Sequence, residues 1–219
     1  MRFRIDLKIF LLIILYFITK QIETYAYIMI FAIVHELGHL FMGFFLSVKP
    51  EKLEIMPYGI SIAFRTMPKD YNKKIGLGNL LEIKKILVAI AGPLTNFTIM
   101  IIVQNMNLDI FKELIIIYSN FLLFIFNLLP IYPLDGGRIL KSILYIMFGK
   151  RKAEQYINNI SFIALLLITL FGSVLIYIVK NIAIFIIILA LWGMFIKEDL
   201  MYRRKNKIYK MIEKGIEIN

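Results

Sequence analysis

The chain has 219 residues, of which 60% are apolar and 19% charged, with a mean hydropathy of +0.77. Soluble domains run at about 45–50% apolar and about 25% charged, so an ordinary water-soluble globule is excluded, and 18 Phe with 12 Tyr exclude a solvated disordered chain. There is no cysteine, which removes disulfides, zinc knuckles, iron–sulfur clusters and thiol nucleophiles. The net charge of +11 invites either nucleic acid or anionic lipid, and the placement of the charges decides between them.

Six apolar runs follow in chain order, at about 8–19, 25–46, 86–103, 114–134, 160–179 and 181–196. A helix crossing a bilayer needs about 20 mostly apolar residues, so the middle four are spans of ordinary length and the first and last are short. The first run, with Arg2, Arg4 and Lys8 before it, can also be read as a signal peptide with a poor cleavage site at Thr24-Tyr25-Ala26. With six spans, 23 of the 26 Lys and Arg fall before the first, between the second and third, between the fourth and fifth, and after the last. The positive-inside rule then places both termini and the two long loops in the cytoplasm. The basic excess becomes topology plus contact with anionic lipid, not a nucleic-acid surface. The expected fold is all-α and polytopic, with a six-span domain over 1–199 and a basic cytoplasmic tail over 200–219.

The segment after the second run reads differently. In Lys52–Arg65, Leu53 and Ile55 alternate with charged residues, and Ile60, Ile62 and Phe64 alternate with Ser61, Ala63 and Arg65. Pro57-Tyr58-Gly59 lies between as a turn signal. A short β-hairpin at the cytoplasmic face is expected, and the remainder, Thr66–Lys85, reads as a basic interfacial stretch.

Chemistry concentrates in the second run. The only two histidines of the chain stand four apart in His35-Glu36-Leu37-Gly38-His39. On a helix that spacing puts both imidazoles on one face, where they can hold one zinc ion at about 2.0–2.1 Å each. Glu36 can then reach a water activated by the metal, take its proton and pass it to a leaving amine. A bland alternative, two packed polar residues, is disfavoured by location: a carboxylate inside a span costs at least ~2.5–3.5 kcal/mol on insertion scales.

A catalytic zinc site takes three protein ligands and leaves one position open. Without Cys or a further His, the third must be Asp or Glu. The candidate is Asp135, expected to end the fourth span in Asn127-Leu-Leu-Pro-Ile-Tyr-Pro-Leu-Asp135-Gly-Gly-Arg138; the alternative is a simple Asp-Gly turn. The six-span topology brings residues 35–39 and Asp135 to the same, cytoplasmic, side. A third cluster, Ala91-Gly92-Pro93-Leu94-Thr95-Asn96, lies in the third span. It is either a proline kink with an interhelical Asn hydrogen bond, or a small-residue surface near the site with Asn96 donating to substrate. Asn127 carries the same two readings.

An H-E-x-x-H within a span, Gly-Pro-x-x-Asn in the next, and N-x-x-P-x-x-P-L-D-G-G after the one following resemble the site-2 protease family of intramembrane metalloproteases, and within it the sporulation branch. The resemblance covers about residues 5–200. It implies His35, His39 and Asp135 as zinc ligands, one ion per chain, and Glu36 as general base. It further implies Asn127, Pro133, Gly92, Pro93 and Asn96 as supporting, substrate-side positions, and a hairpin that contacts substrate through Ile60 and Ile62. Members of that branch usually carry a nucleotide-sensing CBS domain after the last span; here about 23 residues follow Ile196, a basic and helix-like segment. The expected partners are a membrane-tethered protein substrate, anionic lipid and inhibitory membrane proteins, in a bacterial cell membrane. Three competing readings are a metal-binding transporter, which has no need of a base at Glu36, a different membrane zincin with a Glu as third ligand, disfavoured because no other glutamate sits in an expected span, and an inactive client-binding scaffold.

Overall fold

The computed structural model describes residues 2–5, 22–48, 50–56, 59–64, 75–106, 110–180 and 182–216. In chain order the elements are β1 (Arg2–Ile5), α1 (Ile22–Phe45), β2 (Pro50–Met56), β3 (Gly59–Phe64), α2 (Ile75–Gln104), α3 (Ile110–Asn127), α4 (Asp135–Phe148), α5 (Lys150–Val179) and α6 (Ile182–Ile216). They divide into two compact units, Met1–Leu128 and Leu129–Asn219.

In the first unit α1, α2 and α3 pack on one another. Stretches Tyr25–Phe45 of α1 and Asn79–Gln104 of α2 are long and apolar enough to cross a membrane, and α3 contributes the shorter apolar stretch Glu113–Asn127. Their outer faces carry exposed Leu37, Phe41, Phe44, Ile101 and Leu122, a surface suited to lipid and not to water. α2 is the central element: 44% of its apolar stretch is buried, against 22% for α1. α1 ends where Ser47 takes a positive φ of 56° and Val48 N–H donates to Gly43 O at 2.8 Å. Lys84 of α2 reaches across to donate from Nζ to Leu46 O at 2.9 Å. A cation on the carbonyl end of a helix satisfies an orphan acceptor and complements the dipole.

A three-stranded sheet of order β1-β2-β3 completes this unit. β2 and β3 run antiparallel, with Leu53 opposite Ile62 and Ile55 opposite Ile60. The strand that sequence reading missed is β1, which lies parallel to β2 with Phe3 opposite Leu53 and Ile5 opposite Ile55. The alternation Arg-Phe-Arg-Ile was its signal, read instead as the basic start of a span. That expected first span at 8–19, the turn residues Pro57-Tyr58 and residues 65–74 lie outside the described residues. From Ile75 the segment expected to be interfacial loop is already helix.

In the second unit α5 packs against both α4 and α6. Lys150–Ile178 is the third stretch able to cross a membrane. Leu144, Ala153 and Ile157 form a buried cluster, and Phe162 stacks edge-on to Trp192, whose Nε1 donates to Thr169 Oγ1 at 3.1 Å. At the polar end Asn158 Nδ2 donates to Asp199 Oδ1 at 3.0 Å, and Lys205 pairs with Glu154 at 3.3 Å. These contacts tie the start of the basic segment of α6, which runs on as helix to Ile216, to α5.

One expectation is corrected here. The fourth span was drawn to residue 134 with Asp135 at its end. α3 stops at Asn127, residues 128–134 form turns, and Asp135 opens the next helix, α4. The physical reason is proline: Pro130 and Pro133 supply no N–H for a continuing ladder, and the Tyr132–Pro133 peptide is cis. An acidic residue in the first turn is favoured by the helix dipole. Gly137 is required by the close approach that follows, since a Cβ there would lie 2.5 Å from the backbone carbonyl of Ile131.

Candidate metal centre

His35 and His39 project from one face of α1 toward α2, and both are buried. Their rings meet edge to face, with centroids 4.7 Å apart and planes at 86°. Each ring is held from behind by its Nδ1. His35 Nδ1–H donates to Asn96 Oδ1 at 2.7 Å, and His39 Nδ1–H donates to the Val88 carbonyl at 2.7 Å. A carbonyl oxygen only accepts, so the proton of each ring is assigned to Nδ1, and in a neutral imidazole that assignment leaves the lone pair on Nε2. Those two Nε2 atoms face each other at 3.1 Å.

Two facing lone pairs repel unless a cation stands beside them. Two ligands at 2.0–2.1 Å from a tetrahedral ion stand about 3.3 Å apart, close to the separation seen. Histidine ligands of metals typically donate the other ring N–H to a carbonyl or carboxylate, which fixes tautomer and orientation. The donor set therefore fits zinc.

α2 is shaped around this pair. The Val88 carbonyl accepts from His39, as a carbonyl with two lone pairs can, and Pro93 in the same helix has no N–H to give the Ala89 carbonyl one turn back. Gly92 lies against the imidazoles: a Cβ there would fall within 2.6 Å of His35 Nε2 and closer still to His39 Nε2. Pro93 is fully buried beside it. The space that Gly92 leaves open is the space in front of both Nε2 atoms.

Asn96 carried two readings, an interhelical hydrogen bond or donation to substrate. It is fully buried, and its amide is engaged at both ends: Oδ1 accepts from His35, and Nδ2 donates to Asn120 Oδ1 at 3.0 Å. The geometry gives it to the histidine. Asn127 closes α3, and its Nδ2 donates to Leu123 O at 3.0 Å within its own helix. Glu36 stands between the histidines in sequence and is half-buried. In the second unit, Asp135 is buried and lies 3.6 Å from the Arg138 guanidinium.

Residues 103–171, which include the run Asn127–Arg138, match the family described as Peptidase family M50. Over 148 residues the chain is 33% identical to a zinc metalloprotease of Methanocaldococcus jannaschii, covering 64% of this chain and 40% of that protein. The chain resembles peptidase family M50 over residues 103–171. It is also 26% identical to stage IV sporulation protein FB of Bacillus subtilis over 150 residues, covering 66% of this chain and 46% of that one. The chain thus spans under half the length of these curated relatives. In fold it resembles the solved site-2 protease from Methanocaldococcus jannaschii, with a TM-score of 0.66, 24% identity, and coverage of 89% and 88% of the two chains.

The M50 match does not reach back to residues 35–39, so the histidine pair stands on its own geometry. Sequence reading found both histidines, Gly92 and Asn96. It missed two partners that orient them. Val88 contributes a backbone carbonyl, which no side-chain pattern reveals. Asn120 sits in the apolar run Ile115–Phe126, where a buried amide was the available signal.

Proposed function

We propose that this chain is an M50-type intramembrane zinc endopeptidase that hydrolyses a peptide bond of a transmembrane or membrane-associated protein near the cytoplasmic face. The observation that carries this reading is the pair of imidazoles whose Nδ1 atoms each face an accepting oxygen at 2.7 Å and whose Nε2 atoms face each other at 3.1 Å, with Glu36 beside them in sequence. His35, His39 and Asp135 are assigned as the ligands of one ion. Asp135 is favoured by likeness: the ligand must be a carboxylate, and Asp135 lies in Asn127–Arg138, within the residues that match peptidase family M50.

Zinc, when bound, supplies Lewis acidity that polarises a carbonyl and brings the pKa of water toward about 7. The chain's residues do the rest. Asn96 and Val88 hold the imidazoles in the tautomer and orientation that ligation requires. Glu36 accepts a proton from the attacking water and returns it to the leaving amine. The apolar helices keep bulk water from the site, so water enters from the cytoplasmic side. The decisive experiment incubates the purified chain with a membrane-tethered client, with and without a chelator. Cleavage that a chelator leaves untouched would refute the reading.

The orientation follows from the 23 of 26 basic residues that alternate to one side. Both termini are assigned to the cytoplasm of a bacterial cell, in a six-span arrangement. Reporters fused between residues 65 and 74 are expected on the cytoplasmic side, and a periplasmic signal would reverse the topology.

For substrate contact we assign the strand pair β2–β3. β3 is an edge of the sheet order β1-β2-β3, and an edge strand offers backbone donors and acceptors to an added strand. A scissile bond must be presented in extended form, because a helix ties up its own carbonyls. Ile60 and Ile62 are the positions assigned to contact. Ile62→Pro removes one ladder donor and is expected to slow cleavage several-fold without releasing zinc; an unchanged rate would dismiss strand addition and leave the metal chemistry standing. The client proposed, by likeness to the sporulation branch, is the pro-segment of a membrane-associated transcription factor such as a sporulation sigma factor. Co-expression with such a pro-protein tests it: absence of chelator-sensitive processing would remove that client alone.

A further inference from the structure

Behind His35 the hydrogen bonds continue into a third helix. Asn96 Nδ2 of α2 donates to Asn120 Oδ1 of α3 at 3.0 Å, and Asn120 Nδ2 donates to the Ile116 carbonyl at 2.9 Å, one turn back in its own helix. Both asparagines are fully buried, among apolar side chains where no water competes for their amides.

The direction of this chain is fixed at its far end. An asparagine amide can flip, exchanging its donor and acceptor ends, and so can the tautomer of a neutral histidine. The Ile116 carbonyl cannot flip; it only accepts. It therefore holds the NH2 of Asn120 toward itself, which turns the oxygen of Asn120 toward Asn96. That oxygen demands the NH2 of Asn96, which turns the oxygen of Asn96 toward His35. That second oxygen demands a proton on Nδ1 of His35 and leaves the lone pair on Nε2. Three reversible choices are thus settled by one backbone carbonyl.

We infer that Asn120 is a positioning residue that fixes the tautomer of His35, through Asn96, so that Nε2 is presented as a metal donor. The inference rests on the assignment of His35 as a ligand, but its first readout does not depend on any metal. His39 supplies an internal control, because its Nδ1 is held by the Val88 carbonyl and owes nothing to Asn120. An apolar residue at 120 frees Asn96 to turn, so that its NH2 faces His35 and favours the opposite tautomer. Losing an outer partner of this kind typically costs 10–100-fold in metal affinity.

The experiment uses the full chain, purified in detergent, stripped with a chelator and reloaded with zinc. The chain contains two histidines, so a 15N-histidine spectrum shows two imidazoles, told apart with a His39→Asn variant. In the wild type both rings are expected as Nδ1–H tautomers before zinc is added. In Asn120→Leu the His35 signals are expected to move toward the Nε2–H tautomer while His39 keeps its Nδ1–H tautomer, its Nε2 now accepting from His35 across the 3.1 Å gap, with zinc retention lowered about 10–100-fold. Asn120→Asp keeps an accepting oxygen toward Asn96, and with a proton on its second oxygen keeps the donor to Ile116 as well. It is expected to restore the Nδ1–H form of His35 and most of the zinc.

An unchanged His35 tautomer in Asn120→Leu would overturn the inference, whatever the activity of that variant. If Asn120→Leu changes the tautomer of both rings, the packing itself has failed, and Asn120→Asp decides: retention of the Nδ1–H form of His35 supports the relay, and its loss removes it. A normal tautomer pattern in a wild type that binds no zinc would leave the relay intact and strike the ligand assignment instead.

Discussion

Glu36→Gln is expected to keep its zinc and lose cleavage by about 10²–10⁴-fold, the usual contribution of a positioned general base. The amide matches the carboxylate in shape, so the helix face and the imidazole pair stay as they are, but it cannot take a proton from water. Metal content measured beside activity separates this from damage to the site: one zinc per chain in both forms is expected. Residual activity within tenfold of wild type would end the general-base role. Asp135→Ala provides the complementary pattern. It should lose zinc and activity together, since two imidazoles alone hold the ion weakly. Full occupancy in that variant would take Asp135 out of the ligand set and leave it as the residue that starts α4. The two variants together distinguish a metal-dependent base from a set of acidic residues needed only for folding.

The metal centre was legible in the sequence to the depth of its side-chain motifs. His35 and His39 are the only histidines of the chain, and an i, i+4 pair within an apolar run has few meanings. Gly92 and Asn96 were legible as a cluster, but not in their roles. Asn96 is a polar residue near a catalytic motif, and nothing in its spacing says whether its amide faces substrate or the back of an imidazole. The contact with His35, 61 positions away, decides it. Val88 was out of reach altogether, because a carbonyl that accepts from a side chain leaves no mark on residue identity. For the fold, long apolar runs gave helices readily, and alternation gave β2 and β3. β1 is four residues long, too short for its alternation to outweigh the apolar run beside it. The end of α3 was misplaced because apolar content alone does not register the loss of backbone donors at Pro130 and Pro133. The hydropathy of that run continues to Leu134, while its hydrogen bonds cannot.

Gly92→Ala tests the metal centre from the opposite helix. The added methyl would stand within 2.6 Å of His35 Nε2 and closer to His39 Nε2, in the space both lone pairs face. Either an imidazole turns away, breaking its bond to Asn96 or Val88, or α1 and α2 separate. Overpacking of this kind costs about 1–3 kcal/mol, and every 1.4 kcal/mol is tenfold in affinity. Zinc affinity is therefore expected to fall about 10–100-fold, and cleavage with it at limiting zinc. Gly193→Ala is the matched control. It makes the same chemical change in α6, where a Cβ meets nothing within 4 Å, so only helix propensity acts. That favours alanine by about 0.5–1 kcal/mol. One glycine-to-alanine change should thus empty the metal centre while the other leaves it loaded in a slightly more stable protein. Should both variants hold zinc as tightly as the wild type, the space before the two Nε2 atoms is not where the ion binds, and the ligand assignment of the histidine pair fails with it.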